Sequence, residues 1–216
     1  MKSTWLTYYR EKYYPLLESN IGNEKFSNKR GLCKGLYQRA EGFDIMFAYL
    51  ESLGQDQYNI IETGTLRTPG NWKDGQSALL FTEFVDHYSG TVRSVDIDQG
   101  AVDTANSSIN STCFKSYCSD SVAWLTQQTD LNQVDLFYLD SWDVKWNNDH
   151  NSAEHHLKEF LAIEPHLKPG AIVAIDDNAR FLETNARTGK GRRVAEYLES
   201  KGIMPIYDAY QIIYKL

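Results

Sequence analysis

Tyr58-Asn59-Ile60-Ile61-Glu62-Thr63-Gly64-Thr65 decides how the rest of this chain is read. Apolar, β-branched residues run into an acidic residue and then a glycine, the pattern of a buried strand that ends in a tight loop. Four further segments repeat it: 91–97, 113–117, 134–139 and 171–175 are short, apolar and followed by acidic, glycine or serine residues. Stretches with helical spacing lie between and after them, at 76–87, 99–110, 121–129 and 152–166. Such alternation predicts an α/β fold, a doubly wound and mostly parallel sheet with helices on both faces. After the turn Lys168-Pro169-Gly170 and a polar loop over 178–191, a helix is expected over 192–200. Segments 203–207 and 211–214 then flank only Asp208-Ala209-Tyr210. Three residues cannot hold a helical crossover, so the chain should close on an antiparallel hairpin.

Upstream of Tyr58 the pattern is helical. Tyr8, Tyr9, Tyr13, Tyr14 and Leu17 recur at helical spacing, and 35–53 carries Leu36, Ala40, Phe43, Ile45, Met46, Ala48 and Tyr49, with a polar loop over 20–31 between them. Residues 1–57 therefore read as a helical N-terminal cap on a domain spanning 58–216, the two forming one compact unit. The tyrosine stripe reads as core or as an interface, which leaves room for a homo-oligomer.

A length of 216 residues suffices for a sizeable core within a single domain. With 42% hydrophobic and 24% charged residues the chain is globular rather than disordered. Its net charge of −7 argues against broad electrostatic binding to nucleic acid or to anionic membranes. Cys33, Cys113 and Cys118 form neither a CxxC pair nor an even framework, which suits buried thiols in a reducing compartment. No apolar run approaches a membrane span, and Met1-Lys2-Ser3-Thr4-Trp5-Leu6 lacks the unbroken apolar stretch of a signal peptide. A cytoplasmic protein is expected.

In open α/β sheets, ligands bind beyond the carboxyl ends of the strands. Those ends carry Glu62 and Gly64, Asp96 and Asp98, Ser119-Asp120-Ser121, Asp140, and Asp176-Asp177-Asn178. Asp and Ser also cap helices and turns, but an acidic residue at all five strand ends points to a functional cluster. A carboxylate at the position of Asp96 can accept hydrogen bonds from both hydroxyls of a ribose. Gly64 permits close backbone approach to a ligand, and Gly75-Gln76-Ser77 opens the next helix with free N–H groups. Eleven positions separate Gly64 from Gly75, and the insertion 65–74 contains Pro69, Gly70 and Trp72. That spacing is not GxGxxG, so a pyrophosphate cradle is not expected.

The ordered set Glu62-Thr63-Gly64, Ser94-Val95-Asp96-Ile97-Asp98, Ser119-Asp120-Ser121, Tyr138-Leu139-Asp140 and Ile175-Asp176-Asp177-Asn178 resembles the class I S-adenosylmethionine-dependent methyltransferases, which have a Rossmann-like fold. The resemblance spans 58–216. It implies S-adenosylmethionine as cofactor, with Glu62 and Gly64 flanking its methionine part, Thr65 and Ser77 beside them, Asp96 on the ribose, Asp120 and Ser121 at the adenine edge, and Asp140 close by. A sharper similarity is to the metal-dependent O-methyltransferases. Tyr138-Leu139-Asp140-Ser141-Trp142 and Asp177-Asn178 resemble segments of the catechol O-methyltransferases, and Asp176-Asp177 the pair of the macrocin type. The resemblance implies Mg²⁺ on Asp140, Asp176, Asp177 and Asn178, where a metal-bound substrate hydroxyl would be acidified and fixed. The same residues also read as metal-free cofactor neighbours and helix caps.

This chain departs from the catechol pattern at two places. Ser141 stands where a histidine follows the first metal aspartate, and Asp143 where a lysine is expected, with Lys145 close by. The general base is open between Asp143, Lys145 and His150, or absent if a metal suffices. His155 and His156 read as solvated or packed on a helix. Arg187, Lys190, Arg192 and Arg193 surround a helix N-terminus, where cations are disfavoured, so a compensating anion or simple solvation is expected. The segments 65–74 and 181–191 are candidate lids, and N-terminal aromatics are candidates to close the acceptor side. Methyl transfer to the hydroxyl of a small molecule, such as an anionic compound or a sugar or other vicinal diol able to chelate a metal, is the leading expectation. A nicotinamide-dependent oxidoreductase and a catalytically idle binding domain are the alternatives.

Overall fold

The computed structural model describes residues 4–18 and 39–216. The expected loop over 20–31, the beginning of the helix expected over 35–53 and Cys33 lie outside the described residues. In chain order the elements are α1 (Trp5–Lys12), α2 (Tyr14–Glu18), α3 (Ala40–Ser52), β1 (Tyr58–Thr63), α4 (Ser77–His87), β2 (Gly90–Asp96), α5 (Gln99–Ser108), β3 (Phe114–Cys118), α6 (Ser121–Gln127), β4 (Leu136–Leu139), α7 (His150–Ile163), β5 (Ile172–Ile175), β6 (Asn178–Arg180), β7 (Arg187–Gly189), α8 (Arg192–Ser200), β8 (Tyr207–Asp208) and β9 (Ile212–Lys215), with short 3₁₀ turns between some of them.

Seven strands form one sheet in the order β3-β2-β1-β4-β5-β9-β8. The five strands from β3 to β5 are parallel, and β9 runs antiparallel to both β5 and β8. The α/β fold with its terminal antiparallel hairpin is therefore as expected. Every residue of β4 and β5 is buried, as strands covered on both faces must be. Their side chains divide by alternation. Leu136, Tyr138, Ile172 and Ala174 join Ile60 of β1 and Phe81 and Phe84 of α4 on one face, where Trp5, Tyr9, Phe43 and Phe47 of the N-terminal helices also pack. Phe137, Leu139, Val173 and Ile175 face α6, α7 and α8 through Leu125, Phe160 and Val194.

Tyr9, Tyr13 and Leu17 from the tyrosine stripe are core residues, whereas Tyr8 is exposed. Cys113 is only half-buried and Cys118 is exposed, a departure from the buried thiols expected of them. The region read as a polar loop over 178–191 contains a separate two-stranded hairpin, β6 and β7. Among the described residues, no helix is long and apolar enough to cross a membrane.

Candidate active site

β1 lies between β2 and β4. The chain winds outward to β3 and then returns to the other side of β1, which opens a crevice beyond the strand ends at this switch point. A cavity of about 390 Å³ occupies that position, within the range of small-molecule sites. Its lining follows the strand order: Asp120 and Ser121 after β3, Asp96 to Asp98 after β2, Gly64 to Arg67 after β1, and Asp140 to Asp143 after β4. Val95 of β2, Asp74, Gln76 and Ser77 before and at the start of α4, and His155 on α7 also line it.

Local structure explains how these side chains are held. Gly64 has φ +83°, and a Cβ there would lie 2.8 Å from the Asp140 carbonyl oxygen, so only glycine lets the β1 and β4 loops meet. The insertion over 65–74 is fastened from within. Gln76, itself at φ 53°, accepts from Gly70 N–H and donates to the carbonyls of Thr68 and Asn71. The Thr65 hydroxyl is paired with that of Ser94 at 2.7 Å. Asp96 accepts from the Asp98 N–H at 2.9 Å, and Asp98 and Asp120 cap α5 and α6. Capping and cavity lining thus coincide in these aspartates.

Among the described residues, the lining contains six aspartates (Asp74, Asp96, Asp98, Asp120, Asp140 and Asp143) and one arginine, Arg67. Arg67 is bound to Asp143 at 3.0 Å in an exposed ion pair at the rim. Glu62 is buried just behind the cavity, and neither carboxyl oxygen has a well-formed hydrogen bond among the described residues. Burial pushes this carboxyl well above the usual carboxylate range; the Ser77 hydroxyl opposes the shift, and the charges of Asp140, Asp96 and Asp176 add to it. Ile97, 76% exposed, and Trp142, 57% exposed, give the cavity an apolar rim. Trp142 adopts φ 43° and packs its ring 5.2 Å from that of His155.

Beneath the floor lies a polar network centred on Glu159 of α7. Its carboxylate accepts from Thr63 at 3.1 Å, from Ser141 at 2.6 Å and from Ser121, and lies 3.2 Å from His155 Nε2. Burial alone would raise Glu159, but His156, His155 and Ser121 bring it down to about 2. His156 is fully buried; its Nδ1 donates to the Ser152 carbonyl at 2.7 Å, and burial holds the ring down at about 4. His155 therefore belongs to the cavity wall and His156 to the core beneath it. Their i, i+4 and i, i+3 spacings to Glu159 were the available sequence signal.

The four basic residues around the start of α8 all have carboxylate partners within the chain. Arg187 binds Glu199 and Asp208, Arg192 binds Asp149 and Glu196, and Arg193 binds Glu154 and Glu196. Lys190 binds Asp140 at 2.5 Å and Asp177 at 2.9 Å. The compensating anions are thus side chains of the protein. Burial would lower Lys190, but Asp140, Asp177 and Asp176 keep its ammonium protonated and raise it.

Asp140 lines the cavity, whereas Asp176, Asp177 and Asn178 are not among its lining residues. Arg39, which precedes α3, reaches Asp176 at 2.7 Å and Asp177 at 3.3 Å. It stacks over Tyr210, whose hydroxyl also donates to Asp177. Burial would raise Asp177, but Lys190 and Arg39 hold it below the carboxylate range. Asn178 is committed to the backbone, donating to the Ile175 carbonyl and accepting from Gly191 N–H. One oxygen from each of Asp140, Asp176 and Asp177 lies within 4.8 Å of the others, a donor set whose chemistry suits Mg²⁺. The fit nevertheless fails, because the Lys190 ammonium already stands between Asp140 and Asp177. Asp143 lines the cavity, whereas Lys145 is exposed and does not. None of the described N-terminal aromatics lines it either.

No family model matches the chain, and no curated protein matches it. Solved structures do. The MycE methyltransferase from the mycinamycin biosynthetic pathway, in complex with Mg and SAH, aligns with a TM-score of 0.54 at 13% identity over 88% of this chain and 53% of that one. The CMeT domain of the citrinin polyketide synthase gives 0.56 at 9% identity, over 83% of this chain and 52% of that one. CalS11, a TDP-rhamnose 3'-O-methyltransferase of calicheamicin biosynthesis, gives 0.53 at 14% identity, over 83% and 82%. The chain spans about half the length of the first two. What it has in common with these methyltransferases is the fold: a mostly parallel Rossmann-like sheet closed by an antiparallel hairpin.

Proposed function

We propose that the protein is an S-adenosylmethionine-dependent methyltransferase acting on a hydroxyl of a small molecule. The observation that carries this reading is the cavity at the β1/β4 switch point, with Asp96 in its wall and, among the described residues, six aspartates against one paired arginine in its lining. A ligand with a nucleoside and a positively charged tail suits that lining. A pyrophosphate does not, since its two negative charges would face this set of carboxylates. This weighs against a nicotinamide dinucleotide.

When bound, S-adenosylmethionine supplies an electrophilic methyl group on a positively charged sulfur. The order of the lining residues suggests how the chain would hold it. Asp120 and Ser121 would stand on the adenine side, with Ile97 as an apolar face, and Asp96 would accept from the ribose hydroxyls. Gly64, Thr65 and Ser77 surround the methionine part, with the unsatisfied Glu62 carboxyl behind them as an acceptor. Asp140 lies at the floor, towards the acceptor. Asp143 is the better candidate to take the acceptor's proton, because it lines the cavity and Lys145 does not.

Support for a hydroxyl acceptor comes from CalS11, a 3'-O-methyltransferase. The acidic lining favours a neutral acceptor over an anionic one. Metal assistance has no place in the mechanism we adopt, since the Lys190 ammonium sits where the cation would be. Titration calorimetry with S-adenosylhomocysteine and with NAD tests the proposal. Binding of the first with one-to-one stoichiometry is expected, and Asp96→Asn should weaken it about 100-fold through loss of charge-assisted hydrogen bonds. Binding of NAD without S-adenosylhomocysteine would refute it.

A further inference from the structure

Lys190 is a buried lysine, its side chain 2% exposed. An ammonium has three protons to donate, and here each has an acceptor: Asp140 Oδ1 at 2.5 Å, Asp177 Oδ2 at 2.9 Å and the Asp140 carbonyl at 3.1 Å. The backbone holds the lysine in the same place, with its N–H donating to the Asp177 carbonyl at 3.1 Å. Gly189, at φ +112°, lies so close that a Cβ there would come within 2.2 Å of the Asp177 carbonyl oxygen. The β6–β7 hairpin can close this tightly only with glycine at that position, and its closure delivers Lys190 to the carboxylates.

We infer that Lys190, together with Arg39, is a built-in replacement for a divalent cation at the Asp140–Asp176–Asp177 cluster. Three oxygens at this spacing have the chemistry to bind Mg²⁺ or Mn²⁺. The chain instead brings two unit positive charges to them, the same charge as one such ion: the ammonium of Lys190 on Asp140 and Asp177, and the guanidinium of Arg39 on Asp176 and Asp177. These charges arrive on remote stretches of sequence and are buried, so they cannot exchange with solvent as a bound ion does. Lys190 is thereby a positioning residue. It fixes the Asp140 carboxylate at the cavity floor, and no metal is left to chelate an acceptor. The inference does not depend on which reaction the cavity serves.

Mn²⁺ binding to the full-length protein, followed by electron paramagnetic resonance and calorimetry, tests this. The wild type is expected to show no one-site Mn²⁺ isotherm. Lys190→Ala, which vacates the position, should gain one-site Mn²⁺ binding about tenfold or more tighter than any wild-type binding. Adding Asp177→Asn to that variant should abolish the gain. A residue that merely filled space would lower stability on removal without creating a metal site. One-site Mn²⁺ binding by the wild type that disappears in Asp177→Asn would overturn the inference, and that pair decides the matter even if Lys190→Ala does not fold. A folded Lys190→Ala that binds Mn²⁺ no better than the wild type would overturn it equally.

Discussion

Acidification should destabilise this protein through His156, by an amount that the structure allows to be worked out. The ring is fully buried, its Nδ1 proton is committed to the Ser152 carbonyl, and its Nε2 has no hydrogen-bond partner among the described residues. Burial is the largest influence and lowers the ring; Glu159, 3.9 Å away, raises it, while the Lys190 and His155 charges lower it further. The result is a value of about 4 in the fold against 6.5 for an unconstrained histidine. The unfolded chain therefore binds the proton more readily, and stability must fall as pH falls from about 6.5 towards about 4. At about 1.4 kcal/mol per pH unit the full effect is about 3 kcal/mol, of which about 2 kcal/mol is lost between pH 7.5 and 5. Glu159 also loses its stabilising effect on acidification, but from 4.5 downwards, so it contributes little above pH 5. Asp140 acts in the opposite sense. Burial raises its carboxyl, so its cost to the fold is relieved as the pH falls. The wild-type curve alone is therefore not diagnostic, and the difference from His156→Gln is. Urea unfolding of both proteins at pH 7.5 and pH 5 should show the wild type losing about 2 kcal/mol more than the variant. Equal losses in the two proteins would refute the reasoning.

Two further substitutions probe the cavity. Gly64→Ala should lower stability by roughly 1–3 kcal/mol, because it combines φ +83° with a contact 2.8 Å from the Asp140 carbonyl, and thermal unfolding would detect this. A variant as stable as the wild type would show that the two loops can separate freely. Glu159→Gln keeps the shape but removes the charge that accepts from Thr63, Ser121 and Ser141, at a cost of roughly 3 kcal/mol and a fall in Tm of roughly 6–12 °C. An unchanged Tm would mean that the network contributes nothing as an ionised hub.

What could be read from the sequence was set by how local each signal is. The ends of β1 to β5 announce themselves through apolar runs that stop at Asp, Glu or Gly, and those ends supply most of the cavity. Ile97 and His155 were visible as residues but not as lining, since being exposed at a strand end or facing down a helix depends on where the next layer packs. β6 and β7 escaped because Asn-Ala-Arg and Arg-Thr-Gly are three-residue strands with no apolar period to read. Arg39 was out of reach for a different reason. It is 137 positions from Asp176, and no periodicity or spacing pairs a buried arginine with a carboxylate that far along the chain.

The basic residues near α8 show what a local anomaly can and cannot reveal. Four cations at a helix N-terminus oppose its dipole, which pointed either to a compensating anion or to simple solvation. Sequence alone could not say whether such an anion was a ligand or a side chain. The answer matters for substrate choice, because cations already bound to carboxylates have no charge to offer a phosphate. Arg187, Lys190, Arg192 and Arg193 are all engaged in this way, and Arg67 at the cavity rim is bound to Asp143. Among the described residues, a phosphorylated acceptor entering this cavity would meet Arg67 alone as a cation in the lining, already bound to Asp143, and would face the remaining aspartates. Breaking the exposed Arg67–Asp143 pair costs little, but breaking the buried Lys190 contacts would leave Asp140 without its cation and Asp177 with Arg39 alone, a change that costs several kcal/mol. On the function proposed above, the cations that seemed to advertise an anion site therefore weigh against an anionic acceptor and in favour of a neutral hydroxyl compound.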